Sequence, residues 1–311
     1  DGSRFAPPPL TQAERAALEA ASLDGAPPHV GGDYPEWLDP FFAAAFGAER
    51  AEEGAAMARR APLDLRVNLI KARRDEVLAS LRHLGASPTP WSPWGLRIAL
   101  DADARSPGIN AEPDFIKGKV EVQDEGSQLA ALFSAARPGE RVVDLCAGAG
   151  GKTLALAAMM ANQGRIVATD SDKRRLAPIH ERLTRAGARC VDVRTPRGGA
   201  DPLADLDGEA DLVLIDAPCT GTGTWRRNPD AKWRMRPGAL EERIKDQVAV
   251  LDRAARLVAP GGRIVYATCS VLAAENEDQI AAFRARHAPF TIEPPTAWAR
   301  ATWSWVSRSP M

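Results

Sequence analysis

Two cysteines carry the most chemistry in this sequence. Cys219 closes Asp216-Ala-Pro-Cys219 and Cys269 lies in Tyr266-Ala-Thr-Cys-Ser270, each just past a run that reads as a β-strand. A thiolate is a strong nucleophile near neutral pH, and it opens covalent catalysis when a carboxylate and a base stand beside it. Asp216 supplies the carboxylate. Such a set suits a reaction that begins by adding sulfur to an electrophilic carbon and ends by expelling it once a proton is removed. Spacing leaves open which cysteine attacks. Cys146 and Cys190 read as small, inert hydrophobes. The four cysteines are widely spaced, with no CxxC and no nearby His pair, so neither a metal site nor a disulfide framework is expected. A reduced, cytoplasmic protein is the expectation.

A second group of residues bears on the cofactor. Asp144-Leu-Cys-Ala-Gly-Ala-Gly-Gly-Lys-Thr153 follows one strand and opens a helix. A P-loop needs Gly where Cys146 stands, and a dinucleotide fingerprint needs Gly where Thr153 stands, so both fail. What remains is a turn, Cys146, Ala147, Gly148, Ala149, Gly150, Gly151 and Lys152, that lets a ligand touch backbone. Asp170 ends the next strand, where a carboxylate can hold two ribose hydroxyls, and Arg175 follows within the next helix. Turn plus strand-end carboxylate matches an S-adenosyl-L-methionine site, whose ligand brings no phosphate to be cradled. Lys152 points from the turn toward the cleft and joins the catalytic candidates.

Together these groups select a methyl transfer. Methylation of an amino group uses Asp/Asn-Pro-Pro and an aromatic residue at the fourth strand end. Here Cys219 replaces the second proline, and no aromatic follows. Carbon methylation of a pyrimidine fits better. Cytosine C5 is a poor nucleophile, and a thiolate added at C6 turns the ring into an enamine-like one. A carboxyl near N3 supports the developing charge, and a base later takes the C5 proton.

These residues need a scaffold that brings strand ends together. Strands are predicted at Arg141–Cys146, Arg165–Asp170, Cys190–Arg194, Asp211–Asp216 and Arg263–Thr268, with helices at Thr153–Ala161, Lys173–Ala186 and Ala239–Leu257 between them. Near-continuous apolar strands alternating with amphipathic helices imply a parallel sheet covered on both faces, whose ligands bind at the carboxyl ends. Upstream, Leu63–Asn68, Leu96–Leu100 and Lys117–Val122 read as strands and Arg74–His83 as a helix. The expected fold class is α/β: a Rossmann-like catalytic domain at 119–311 after a small α+β module at 61–118. Residues 1–60, with a capped helix at Thr11–Ala21, form a helical and loop extension.

Composition narrows the class. The 311 residues are 45% hydrophobic and 26% charged, which excludes wholesale disorder. Net charge is -1, so a nucleic-acid partner must be held by a local patch. Residues 1–60 hold ten acidic and five basic side chains and read as a solvated cover. No membrane-spanning run or signal pattern is present. The chain opens on Asp1 rather than Met, which suggests a processed or shortened amino terminus. A monomer is expected.

Pro62-Leu-Asp-Leu-Arg-Val-Asn68, Val122-Gln-Asp-Glu-Gly-Ser-Gln128, the Cys146–Lys152 turn, Asp216-Ala-Pro-Cys219 and Thr268-Cys269 resemble, in order, the Sun/RsmB family of RNA (cytosine-5) methyltransferases. The likeness runs from about Pro35 to Arg284. It implies a small RNA-binding module before the catalytic domain, Cys269 as the nucleophile, and Cys219 as the group that assists product release. Small-subunit ribosomal RNA is the substrate implied first. A tRNA methyltransferase of the same chemistry and a catalytically silent RNA-binding assembly factor are the alternatives. Two features depart from the pattern. Val193-Arg-Thr-Pro-Arg-Gly198 lacks the usual acidic adenine contact, which is expected to pass to backbone groups. The end, Trp303-Ser-Trp-Val-Ser-Arg-Ser-Pro-Met311, lacks the Gly-Phe-Phe-type strand and reads as truncated or diverged. No segment is long enough for a NusB-type helical domain.

RNA contacts are expected on the loop at 224–236, which has five basic side chains, one acidic, and Trp225 and Trp233 between them. Splayed bases stack on such rings while cations hold phosphates. Trp225, Arg226, Arg227 and Lys232 are the candidates there, with Arg66, near Lys71 and Arg74, as a second site on the small module. The target cytosine must be unpaired or flipped.

Overall fold

The computed structural model describes residues 8–101, 105–196 and 201–293. Strand β1 (Leu63–Val67) alternates apolar and charged residues, and both kinds are buried. Successive side chains point to opposite faces. Leu65 and Val67 enter a core with Val77, Leu81, Leu96, Ile98 and Val120. Asp64 and Arg66 face the other way, against the catalytic domain. β1 pairs antiparallel with β3 (Gly95–Ile98) and β4 (Val120–Val122), and the short β2 (Ser87–Pro88) completes the order β2-β3-β1-β4. The small sheet thus runs to Val122, past the boundary expected at 118. The expected helix at Arg74–His83 stops at Ser80, and a separate 3-10 turn covers Arg82–Leu84.

β5 (Arg141–Asp144), β6 (Arg165–Ala168), β7 (Val191–Val193), β8 (Ala210–Asp216) and β9 (Val258–Ala267) form a parallel sheet in the order β7-β6-β5-β8-β9. Alternate residues again sort by face. Val143, Val167, Val213 and Ile215 meet Leu251, Ala254, Leu257 and Phe283, while Val142, Ile166, Leu212 and Leu214 meet Leu132, Leu156 and Met160. Both faces are covered, as the apolar runs predict. The helix Ala239–Leu257 falls as expected, and β9 follows it directly at Val258, earlier than Arg263. The helix at Lys173–Ala186 is divided into Lys173–Leu176 and Ile179–Ala186, because Pro178 cannot donate the bond that would continue it. No described helix is long and apolar enough to cross a membrane.

The amino-terminal extension is more than a cover. Besides the capped helix Gln12–Ala20, it forms Pro28–Gly31, Asp39–Phe46 and Arg50–Ala58. Tyr34, Leu38 and Phe42 are buried with Trp225, Leu240 and Leu272, which lie beyond the parallel sheet's β8 in the chain. Phe42 stacks on Tyr34 at 4.3 Å and on Trp225 at 5.5 Å between ring centroids. Trp225 is 1% exposed and Trp233 58%. Removing a buried tryptophan side chain forfeits both transfer energy and packing. Trp225→Ala should therefore lower unfolding stability by about 3–5 kcal/mol, whereas Trp233→Ala should change it by less than about 0.5 kcal/mol. Urea unfolding of both variants checks this, and equal losses would contradict the packing described.

Candidate active site

β5 ends at Asp144, and the chain turns through Cys146–Gly150 into the helix Gly151–Met159. Gly150 has φ +84°, and a Cβ there would lie 2.5 Å from Ile179, so only glycine fits. The Gly148 amide donates to Asp170 Oδ2 at 2.9 Å, while Asp170 Oδ1 accepts the Asp172 amide at 2.8 Å. Asp170 is buried, and Arg175 Nη1 lies 3.9 Å from its carboxylate. The expected Gly148, Asp170 and Arg175 are thus brought together. A Cβ on Gly148 would meet only Arg175 and Asp170, at 3.5 and 3.9 Å. At Gly148 the backbone has ordinary van der Waals room on the side of these two groups.

Asp144 has no sequence signal beyond its place at the strand end. It is fully buried, its Oδ2 accepts the Thr153 hydroxyl at 2.6 Å, and its Oδ1 has no partner. Burial, with the nearby Asp216 and Asp170 charges, pushes its carboxyl up to about 7. Burial likewise raises the Cys146 thiol to about 12, and the Cys190 thiol also rises. Both suit an inert role.

Lys152 Nζ lies 2.7 Å from Asp216 Oδ2, so the turn and the end of β8 are joined by an ion pair. Beyond it stand the two thiols, with Cys219 Sγ 3.3 Å from Cys269 Sγ. Their strands pair in register, Asp216 opposite Ala267, which brings both following loops to one edge. Gly223 permits the close approach: its amide donates to the Cys269 carbonyl at 2.9 Å, and a Cβ would sit equally close to that oxygen. Cys269 is exposed and Cys219 half-buried. The hydrogen bond with Cys219 pulls the Cys269 thiol below the usual range, against burial and the Asp216 charge and with help from Lys152. The same bond, then burial, pushes Cys219 up. At 3.3 Å the two sulfurs can share one proton, which lets a thiolate be held beside a thiol.

The candidate RNA residues behave differently. Trp225 is buried against Phe42, so no base can stack on it. Lys232 is buried and paired with Asp33 of the extension. Arg66 is also buried. Its Nε donates to Gln123 Oε1 at 2.6 Å, its two other nitrogens lack partners, and burial pushes the guanidinium down to about 10. It cannot meet RNA at a surface, because the catalytic domain covers that face of β1. Arg226 and Arg227 are exposed but committed. Arg226 donates to the Arg59 and Arg60 carbonyls, while Arg227 reaches Asp124 and the Pro62 carbonyl. Much of the loop's positive charge thus fastens neighbouring segments. Trp233, Arg234 and Arg236 remain on the surface.

The missing adenine contact follows β7. Arg194 there donates its backbone amide to the Ala168 carbonyl and commits its side chain to Asp192 and Asp205. Arg197 and Gly198, and the carboxyl-terminal segment read as lacking a final strand, lie outside the described residues.

The pattern of the 16S rRNA methyltransferase RsmB/F family matches residues 131–302, and an RsmF/B-like ferredoxin-like domain matches residues 34–104. The chain is 35% identical over 267 residues to a probable ribosomal RNA small subunit methyltransferase B of Synechocystis, covering 84% of this chain and 58% of that protein. It is 37% identical over 260 residues to the ribosomal RNA small subunit methyltransferase B of Sodalis glossinidius, covering 82% and 58%. The chain thus spans somewhat more than half the length of these relatives. A crystal structure of a methyltransferase homolog protein from Pyrococcus horikoshii is 28% identical, with a TM-score of 0.69, over 84% of this chain and 81% of that one. With a family match over more than half of its 311 residues, at the turn and both cysteine loops described above, this chain belongs to the RsmB/F family of 16S rRNA methyltransferases.

Proposed function

We propose that this protein transfers a methyl group from S-adenosyl-L-methionine to C5 of a cytosine in RNA, through a covalent adduct between Cys269 and C6. The observation that carries the reading is the 3.3 Å pair of thiols at adjacent strand ends, beside the Lys152–Asp216 ion pair. The names of the relatives favour small-subunit ribosomal RNA as the substrate.

The residues present fit the cofactor. Backbone from Cys146 to Gly151, with Lys152, Asp170, Arg175 and Asp216, would hold it, since the Gly148 backbone has room toward the buried Asp170 carboxylate and Arg175. When bound, S-adenosyl-L-methionine supplies an electrophilic methyl group on sulfonium sulfur. The chain's own groups do the rest. Cys269, the more exposed of the two thiols, adds to C6 as a thiolate and makes C5 nucleophilic. The negative charge that the addition places on the ring at N3 is met by the Lys152 ammonium, which Asp216 holds at 2.7 Å. Cys219, having given its own proton to solvent, takes the one on C5 as a thiolate, and the C5–C6 double bond re-forms as the C6–sulfur bond breaks and Cys269 leaves as a thiolate.

RNA reaches the site past the exposed part of the basic loop. Trp233 is 58% exposed, with Lys232 Nζ over its ring at 5.6 Å from the centroid, and Arg234, paired with Asp230 at 3.0 Å, and Arg236 are exposed next to it in sequence. This surface replaces the one centred on Trp225.

The order of steps separates the two cysteines. Cys269→Ser should give neither product nor adduct, because a serine hydroxyl stays protonated near neutral pH. Cys219→Ala should allow attack and methyl transfer but stall release, leaving a protein–RNA band on a denaturing gel. Exchanged behaviour would assign attack to Cys219, on the loop after β8. For the cofactor, Asp170→Ala should weaken S-adenosyl-L-methionine binding by about 1–3 kcal/mol through loss of a charge-assisted hydrogen bond. Unchanged affinity by calorimetry would remove Asp170 from the site. For the substrate, Trp233→Ala should weaken binding of single-stranded RNA by about 1–3 kcal/mol and leave cofactor affinity unchanged. Fluorescence anisotropy showing parental RNA affinity would exclude this ring as a stacking platform.

A further inference from the structure

Neither cysteine loop is held in place by its strand alone. After β9 the chain passes Cys269 and makes a 3-10 turn, Ala273–Glu275, before the helix Glu277–Arg286. Glu275 is fully buried there. Its Oε1 accepts the Thr220 amide at 2.8 Å and the Gln247 side-chain amide at 3.0 Å, and its Oε2 accepts the Thr220 hydroxyl. Thr220 is the residue that follows Cys219. Asn276 grips the other loop. Its Oδ1 accepts the Thr268 hydroxyl at 2.6 Å, and its Nδ2 donates to the carbonyls of Ser270 and Leu272 at 3.1 and 3.0 Å. Thr268 and Ser270 flank Cys269.

We propose that Glu275 and Asn276 form a bracket that sets the distance between the two thiols, Glu275 holding the Cys219 loop and Asn276 the Cys269 loop. One peptide bond joins the two residues, so the two grips cannot drift apart. The Tyr266 hydroxyl donates to the Glu275 carbonyl at 2.7 Å and anchors the bracket to β9. Gln247, a polar residue on the buried stripe of the helix Ala239–Leu257, anchors it to that helix and also donates to the Pro218 carbonyl at 3.0 Å. Direct bonds between the loops close the frame: Thr222 Oγ1 lies 3.0 Å from Ser270 Oγ and accepts the Val271 amide. A charge buried this fully costs solvation that its three donors must offset. These are positioning residues: neither carboxamide nor carboxylate contacts a sulfur.

The inference rests on the two-cysteine reading above only for its catalytic consequence, so the test has two arms. In the first, the protein without RNA or cofactor is treated with diamide, which takes two electrons and two protons from the thiol pair, and the Cys219–Cys269 disulfide is timed by peptide mass spectrometry. Glu275→Gln, which turns a donor toward Thr220 or Gln247, and Asn276→Asp, which turns an acceptor toward two carbonyls, should each slow closure about tenfold or more, as small misplacements of reacting groups do. Thr220→Val removes only the hydroxyl donor and should slow it less, in the same direction. Parental rates in Glu275→Gln and Asn276→Asp would overturn the bracket.

In the second arm the variants receive RNA and S-adenosyl-L-methionine. Glu275→Gln should accumulate the covalent complex, as misplacing Cys219 does, and Asn276→Asp should form it slowly. Parallel loss of adduct and product in both, with lowered melting temperatures, would reduce the pair to a structural role. If closure slows as expected but Cys219→Ala captures no RNA, the bracket stands and the two-cysteine reading fails.

Discussion

Parallel pairing of β8 with β9 is the constraint on which the site depends. Hydrogen-bonded parallel strands end at the same edge of a sheet, and Leu212 to Asp216 lie opposite Arg263 to Ala267 without a slip. The register break falls earlier, between Ala210 and Leu212, away from the end that carries the two thiols. Fifty residues separate Cys219 from Cys269, yet their sulfurs lie 3.3 Å apart. β5 lies on the other side of β8 and brings the glycine turn and Lys152 to the same edge, where Asp216 neutralises the lysine. A cofactor turn, an ion pair and two thiols thus meet because three strands run in one direction.

The small module is fastened to that edge through buried charge. Glu121 of β4 accepts from Arg182 at 2.9 Å and Arg185 at 2.7 Å, and Arg182 also donates to the Ala149 carbonyl in the glycine turn at 2.8 Å. Asn68 donates to the carbonyls of Gly118 and Ala186, so one side chain spans both domains. On β1, Asp64 accepts from Arg97 and from the Glu125 amide. Asp64 lies on the charged face of β1, whose other face forms the module's own core.

Charge in the basic loop is spent in the same way. Lys232 pairs with Asp33, Arg226 with carbonyls of the extension and Arg227 with Asp124. The acidic extension and the basic loop are complementary, and their aromatic residues stack between them. What remains outside, Trp233 with Arg234 and Arg236, is a smaller surface than the loop's composition suggests.

Period, turn chemistry and motif order were legible from residue types. The βα alternation, the glycine turn, Asp170 and both cysteine loops can be read in the chain because each depends on local geometry: apolar runs that must be covered on two faces, and positions such as Gly150 that admit no side chain. Burial of the charged and aromatic groups was not legible. Arg66 alternates with Leu65 and Val67 as a solvent-facing residue would, and only the catalytic domain packed on that face turns it inward. Trp225 and Trp233 sit in the same basic run, and the distant residue Phe42 decides which is covered. Glu275 and Asn276 resemble any polar pair before a helix until the fold places Thr220 above one and Thr268 beside the other. Local sequence specifies which way a strand's side chains alternate. What lies against each face depends on contacts between residues far apart in the chain, and those exist only in the folded protein.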